Sequence, residues 1–260
     1  MTQKYALIGV EGNHDQAFIS KILRKILGFK EFFGNEQDLD RFWEKFVPRY
    51  PPKQGKLYIR LDMPTILLKD TLSVAIYAGG GSNLSINLED KLSNMDYDRL
   101  CAFAIIADAD NDRPETVAKN YCNDFREFFP QFPDTPGEVN WSGIRTGIFV
   151  LPNNEEQGVL ETVLLKCGEI AYRDYLQRAN DYIDRFSEEE RKKLKWKPFD
   201  REKAIIATVV SVLKPGKTNQ TSISDNQWIS SETAESVEDL QKLVSFLEDL
   251  LGLKNDDASA

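Results

Sequence analysis

The chain has one histidine, His14, three cysteines, and no apolar run of membrane-spanning length. A single histidine excludes any metal site built on two of them. The cysteines, Cys101, Cys122 and Cys167, are odd in number and share no C-x-x-C spacing. That argues against a disulfide framework and a zinc cluster, and fits a reducing cytoplasm. The longest apolar stretches, such as residues 205–213, are about half of what a bilayer requires. The start, Met-Thr-Gln-Lys, leads directly into an apolar strand without a signal-peptide pattern. A soluble cytoplasmic protein is expected. With a net charge of −9, no Lys/Arg run of the kind a duplex-binding face uses stands out. A nucleic-acid role would therefore need local basic patches, bridging divalent cations or a basic partner.

At 260 residues and 41% apolar, the chain can bury a full core without staples. Residues 5–10 form a continuous apolar run, the mark of a strand buried on both faces of a parallel sheet. Apolar residues at helical spacing follow from about Asp15 and stop at Gly28. Residues 29–70, rich in aromatics and in prolines (Pro48, Pro51, Pro52, Pro64), read as an irregular insertion with a short helix near 39–46. Further strands are expected at 72–77, 100–107 and 143–151, with helices at about 86–94 and 114–129 between them. Beyond these, 158–186 reads as one long helix, and Ser187-x-x-Glu190 as a capping box. Helices are also expected at 200–214 and 236–251, separated by a Ser/Thr/Asn-rich loop at 215–231. Strand–helix alternation over 1–155 predicts an α/β core with a mostly parallel central sheet flanked by helices. Residues 156–254 form a helical extension packed on it, and 255–260 a disordered tail.

Two constellations carry chemistry. In Val10-Glu11-Gly12-Asn13-His14-Asp15, Glu11 leaves a strand at the carboxyl edge, where parallel α/β sheets bind ligands. The bland alternative is a βα loop whose Asn13 or Asp15 caps the helix. The second constellation is an apolar strand ending in Asp108-Ala-Asp110-Asn-Asp112. Alternation along an extended chain puts Asp108 and Asp110 on one side. Adjacent carboxylates repel unless a cation or protons compensate, and hard oxygen ligands select Mg²⁺, Mn²⁺ or Ca²⁺. A solvated acidic turn is the alternative. An EF-hand fails because its glycine and closing-glutamate positions hold Arg113 and Lys119. Gly79-Gly80-Gly81 follows a strand and is either a phosphate cradle or a tight turn. Pro215-Gly216-Lys217-Thr218 ends like a Walker A loop, but Ser211 stands where its first glycine belongs.

Glu11 after a first strand and Asp-x-Asp after a later one resemble the Toprim domain of topoisomerases, primases and related nucleases, over about the first 155 residues. The resemblance implies that Glu11 is a ligand or general acid/base and that Asp108 and Asp110 hold the metal. Asp15 matches a further acidic position of nuclease-type Toprims, and Asp112 joins the candidate metal set. Residues 147–152 followed by Gly158-Val-Leu-Glu161 look like the nuclease-type Toprims of the OLD (overcoming lysogenisation defect) class, and like a Toprim-related family without assigned function. The OLD class places a Leu-Glu acid near a second metal. Glu161 is thus either a ligand or a first-turn acid favoured by its helix dipole. That class also carries a late lysine, for which Lys214 and Lys217 are candidates beside a phosphate.

The function expected from these residues is a Mg²⁺- or Mn²⁺-dependent phosphodiesterase acting on DNA or RNA. Catalysis would fall to Glu11, Asp108 and Asp110, by the two-metal logic in which one ion activates water and the other steadies the leaving oxygen. OLD-class enzymes join their Toprim to an ATPase, and no ATPase is found in this chain, so any ATP-driven regulation would require a separate ATPase or other protein partner. Topoisomerase and primase action fit less well, since neither a strand-passage gate nor zinc ligands are seen. The rival class is a non-catalytic Toprim-derived module binding a metal, a nucleotide or a partner; a small phosphorylated metabolite is the third possibility.

Overall fold

β1 (Lys4–Val10) alternates its side chains between two cores. Ala6, Ile8 and Val10 enter one, and Tyr5 and Leu7 the other. The computed structural model describes residues 2–34, 38–44, 46 and 63–253. Around β1 stand β4 (Leu72–Ala78), β5 (Leu100–Asp108) and β7 (Ile144–Leu151), in the order β4-β1-β5-β7 and all parallel. Antiparallel strands close both edges: β3 (Thr65–Lys69) and β2 (Lys30–Glu31) beside β4, and β6 (Val139–Ser142) beside β7. The result is a seven-stranded mixed sheet whose parallel centre is buried on both faces, as the unbroken apolar runs require.

Helices cover the two faces. α1 (Asn13–Lys25) shares one core with α4 (Leu160–Ala171), α5 (Arg173–Ile183), α7 (Asp200–Leu213) and α10 (Glu238–Leu250). On the opposite face lie α2 (Leu84–Ser93), α3 (Pro114–Phe125) and the aromatic cluster of Phe42, Trp43 and Phe46. α6 (Glu188–Lys193) lies between α5 and α7 in the chain. No helix among the described residues is long and apolar enough to cross a membrane.

Several expectations change. The insertion at 29–70 contains β2 and β3 as an antiparallel edge, and its short helix is a single 3-10 turn, Arg41–Trp43. Pro48, Pro51 and Pro52, and the tail from Lys254, lie outside the described residues. The long helix at 158–186 breaks at Tyr172, between α4 and α5. There the Tyr172 hydroxyl accepts the Gln227 N–H at 2.6 Å and its ring packs edge-on to Trp228. Residues 215–231, expected to be loop, contain α8 (Asn219–Asp225) and lead into α9 (Ser231–Ser236). Their Ser and Thr residues act as N-caps: Thr218 accepts from Thr221 N at 3.3 Å, and Ser230 from Thr233 N at 3.2 Å.

Candidate functional site

The parallel register decides where the acids meet. Val10 pairs with Ala78 on one side and Ile106 on the other, and Asp108 pairs with Leu151. Glu11, Gly79 and Asp108 therefore leave the sheet together at its carboxyl edge. Glu11 Oε1 accepts the Asp108 N–H at 3.3 Å. Asp108 Oδ1 accepts the Leu160 N–H at 2.8 Å, so the first turn of α4 is aimed at that carboxylate. Asp15 is buried at the start of α1, where Oδ2 accepts the Gly12 N–H at 2.8 Å. It caps its helix as the bland reading expected, and also faces the other acids. Glu161, buried in the first turn of α4, receives no backbone N–H among the described residues; its Oε1 lies 3.8 Å from His14 Nδ1.

Electrostatics tie these groups into one cluster. Burial, then Asp15 and Asp110, pushes the Glu11 carboxyl up to about 7, against the pull of the Asp108 N–H and Lys203. Burial raises Asp15 to about 6; Glu161 adds to this, while the Gly12 N–H and His14 oppose it. Asp108 is driven well above the usual carboxylate range by burial and by Asp15, Glu11, Glu161 and Asp110. Asp110 is exposed and left-handed (φ 49°), held by a two-way backbone pairing with Gly158. Extended-chain alternation thus ends at Asp108, and a turn brings Asp110 back towards Glu11 and Asp108. Asp112 is exposed, and it is not among the principal charges acting on the buried acids.

The glycine run does something other than cradle a phosphate. Gly79 N–H donates to the Val10 carbonyl at 2.9 Å, and Gly80 and Gly81 donate to the Glu11 carbonyl at 3.0 and 2.8 Å. These N–H groups pin the backbone of Glu11 and are turned away from any ligand. A Cβ on Gly79 would sit 2.6 Å from Leu84 Cα, so no larger residue fits without movement. Lys214 and Lys217 are also elsewhere. Lys214 pairs with Asp225 at 3.0 Å, at the far end of α7 from Lys203. Eleven residue steps along the helix separate the two lysines by about 16 Å.

Lys203 is the cation the sequence reading missed: it sits in the first turn of α7 and pulls on Glu11. α7 is tied to the site because Glu202 Oε2 accepts the Thr162 hydroxyl at 2.6 Å, next to Glu161. Tyr121 on α3 was missed as well. Burial, Glu11, Asp124, Asp108 and Asp15 all push its phenol upward, so the hydroxyl stays protonated. Neither residue lies in a motif, and Tyr121 reads in the sequence as one more core aromatic of an amphipathic helix.

Whether a metal fits can be judged from the donors. Among the described residues, no three His, Cys, Asp or Glu side chains are already drawn together to hold an ion. The chemistry of the set suits a hard divalent cation all the same. Glu11 and Asp108 each have one oxygen fixed by an N–H, and the other has no donor among the described residues. The only sealed polar side-chain atom without a partner there is Arg191 Nε, so these free oxygens remain open to water.

A family model described as "Protein of unknown function (DUF3226)" matches residues 5–252. The chain belongs to the DUF3226 family. No curated protein matches it. Among solved structures, this DUF3226 chain is similar to a hypothetical protein, PH0156, from Pyrococcus horikoshii OT3, at 19% identity over 95% of each chain with a TM-score of 0.47.

Proposed function

We propose that this chain is a Mg²⁺- or Mn²⁺-dependent phosphodiesterase acting on nucleic acid through a Toprim-type acidic site. The observation that carries this reading is the convergence of Glu11, Asp15, Asp108 and Glu161 at one carboxyl sheet edge, with the exposed Lys203 near enough to pull on Glu11. Burying several carboxylates against one another costs stability unless a cation or protons compensate. Asp15, Asp108 and Glu161 would hold the ion, with Asp110 at the rim. When bound, the ion supplies positive charge for a phosphoryl oxygen and acidifies a water.

The protein's own groups have separable tasks. Glu11, which titrates near neutrality when no metal is bound, can hold or release a proton at its free oxygen. Lys203 offers a positive charge to a phosphoryl oxygen as negative charge builds there. The Tyr121 hydroxyl, protonated throughout the working range, can donate a hydrogen bond to a phosphate. One observation favours a non-catalytic metal-binding module instead: no three ligands are already drawn together among the described residues.

The test is degradation of plasmid, single-stranded DNA and RNA by the purified chain in Mn²⁺, Mg²⁺ or EDTA, beside Asp108→Asn. Cleavage that requires metal and drops at least about a hundredfold in the variant is the expected result. Metal-induced stabilisation without cleavage of any polymer would favour the binding module.

A further inference from the structure

Between Arg191 and Lys203 the chain carries seven cations against two acids, although its net charge is −9. Arg191 and Arg201 are braces: both bind Asp184, at 3.1 and 2.7 Å, and Arg191 lies 5.5 Å over the Trp196 ring. Lys192, Lys193, Lys195 and Lys197 differ from them. All four are exposed, and none makes a side-chain ion pair or hydrogen bond among the described residues.

The dipole of α6 accounts for part of this pattern, since its acids fall in the first turn and its cations in the last. It does not account for the lysines beyond the helix end. Lys195 is left-handed (φ 57°), at the position where a helix terminus favours glycine. Its N–H bonds the Lys192 carbonyl and the Trp196 N–H bonds that of Arg191, which closes the turn. A lysine held in strained backbone at a surface position points to a use for its charge. Five residues then lie between Lys197 and Lys203, so the near end of the strip is within about 20 Å of the cation that pulls on Glu11.

We infer that Lys192, Lys193, Lys195 and Lys197 form a strip that binds the phosphate backbone of one nucleic-acid strand and leads it to Lys203 and the acidic edge. Four unpaired cations within six consecutive residues suit a single strand, whose phosphates succeed one another along a path. A chain with a net charge of −9 disfavours the broad contact a duplex requires. The exposed Leu194 and the partly exposed Trp196 ring supply apolar area beside that path. The direction of the strip rests on the phosphodiesterase reading; binding itself does not.

The experiment is fluorescence anisotropy of labelled single-stranded DNA and RNA oligonucleotides with the full chain in EDTA. Wild type is compared with Asp108→Asn and with K192A/K193A/K195A/K197A. The strip variant should bind at least about tenfold more weakly, with a salt dependence shallower by about two to three counterions. Asp108→Asn should bind at least as well as wild type. All four lysines are exposed, so an unchanged melting temperature checks the fold. Equal affinity and salt slope in wild type and strip variant overturn the inference. So does failure of wild type to bind, or binding to phosphatidylserine vesicles in place of oligonucleotides. Strip-dependent binding with no cleavage in any metal leaves the strip standing and removes the phosphodiesterase. Cleavage by wild type that the strip variant matches in binding and rate does the reverse.

Discussion

Lys203 and Lys214 stand at opposite ends of α7, and their neighbours separate their roles. Lys203 pulls on Glu11 at the sheet edge, whereas Lys214 is engaged by Asp225 on a solvated surface. Lys203→Ala should lower the rate of metal-dependent cleavage by about a hundredfold, the scale of losing one charge-stabilising group. Lys214→Ala should leave it within about twofold and cost under about 1 kcal/mol, as exposed ion pairs do. Steady-state rates on one labelled oligonucleotide check both, and equal losses would remove the assignment of Lys203. The acids of the cluster were legible as residues because Glu11 and Asp108 each follow directly on an unbroken apolar strand run, where a carboxylate is unusual. Lys203 was not: a lysine in the first turn of an amphipathic helix carries no spacing signal. It becomes visible only when α7 is docked through Thr162 and Glu202.

At the scale of elements, the β4–α2 turn and the end of α6 carry opposite expectations for substitution. Gly79→Ala forces a Cβ to within 2.6 Å of the Leu84 backbone and disturbs the N–H groups that hold Glu11. It should cost about 1–3 kcal/mol in chemical denaturation and weaken metal-dependent activity as well. Lys195→Gly relieves a left-handed residue and should stabilise the chain by about 1 kcal/mol, while weakening oligonucleotide binding. Stabilisation with unchanged binding would detach Lys195 from the strip. The central strands and α1 could be read in advance because continuous apolar runs and 3.6-residue spacing are strong local signals. β2, β3 and β6 could not, since short edge strands are fixed by their partners rather than their own pattern. α8 and α9 were hidden because Ser and Thr signal loops and helix caps equally well. The cationic run 191–203 was in plain view, but the acidic total diluted it.

For the whole molecule, the acidic edge makes folding stability a reporter of the site. Glu11 moves from an ordinary 4.5 to about 7 on folding, Asp15 from 3.8 to about 6, and Asp108 well above 3.8. A carboxyl with a raised folded pKa binds its proton more tightly folded than unfolded. Between the two values the folded chain therefore carries more protons, and stability must fall as pH rises. The contribution of these groups is largest below their unfolded values and is lost as pH climbs through the folded ones. In EDTA, the urea midpoint should fall between about pH 5 and pH 8, and Asp108→Asn should flatten that slope by removing one of the repelling charges. Saturating Mn²⁺ should act in the opposite sense. An ion that binds only the deprotonated, folded site stabilises more as protons leave it, so the gap between Mn²⁺ and EDTA midpoints should widen with pH. A midpoint in EDTA that stays level across this range would mean that Glu11, Asp15 and Asp108 ionise as freely folded as unfolded. The compensation argument for a cation at the sheet edge would then be lost, whatever the chain binds elsewhere.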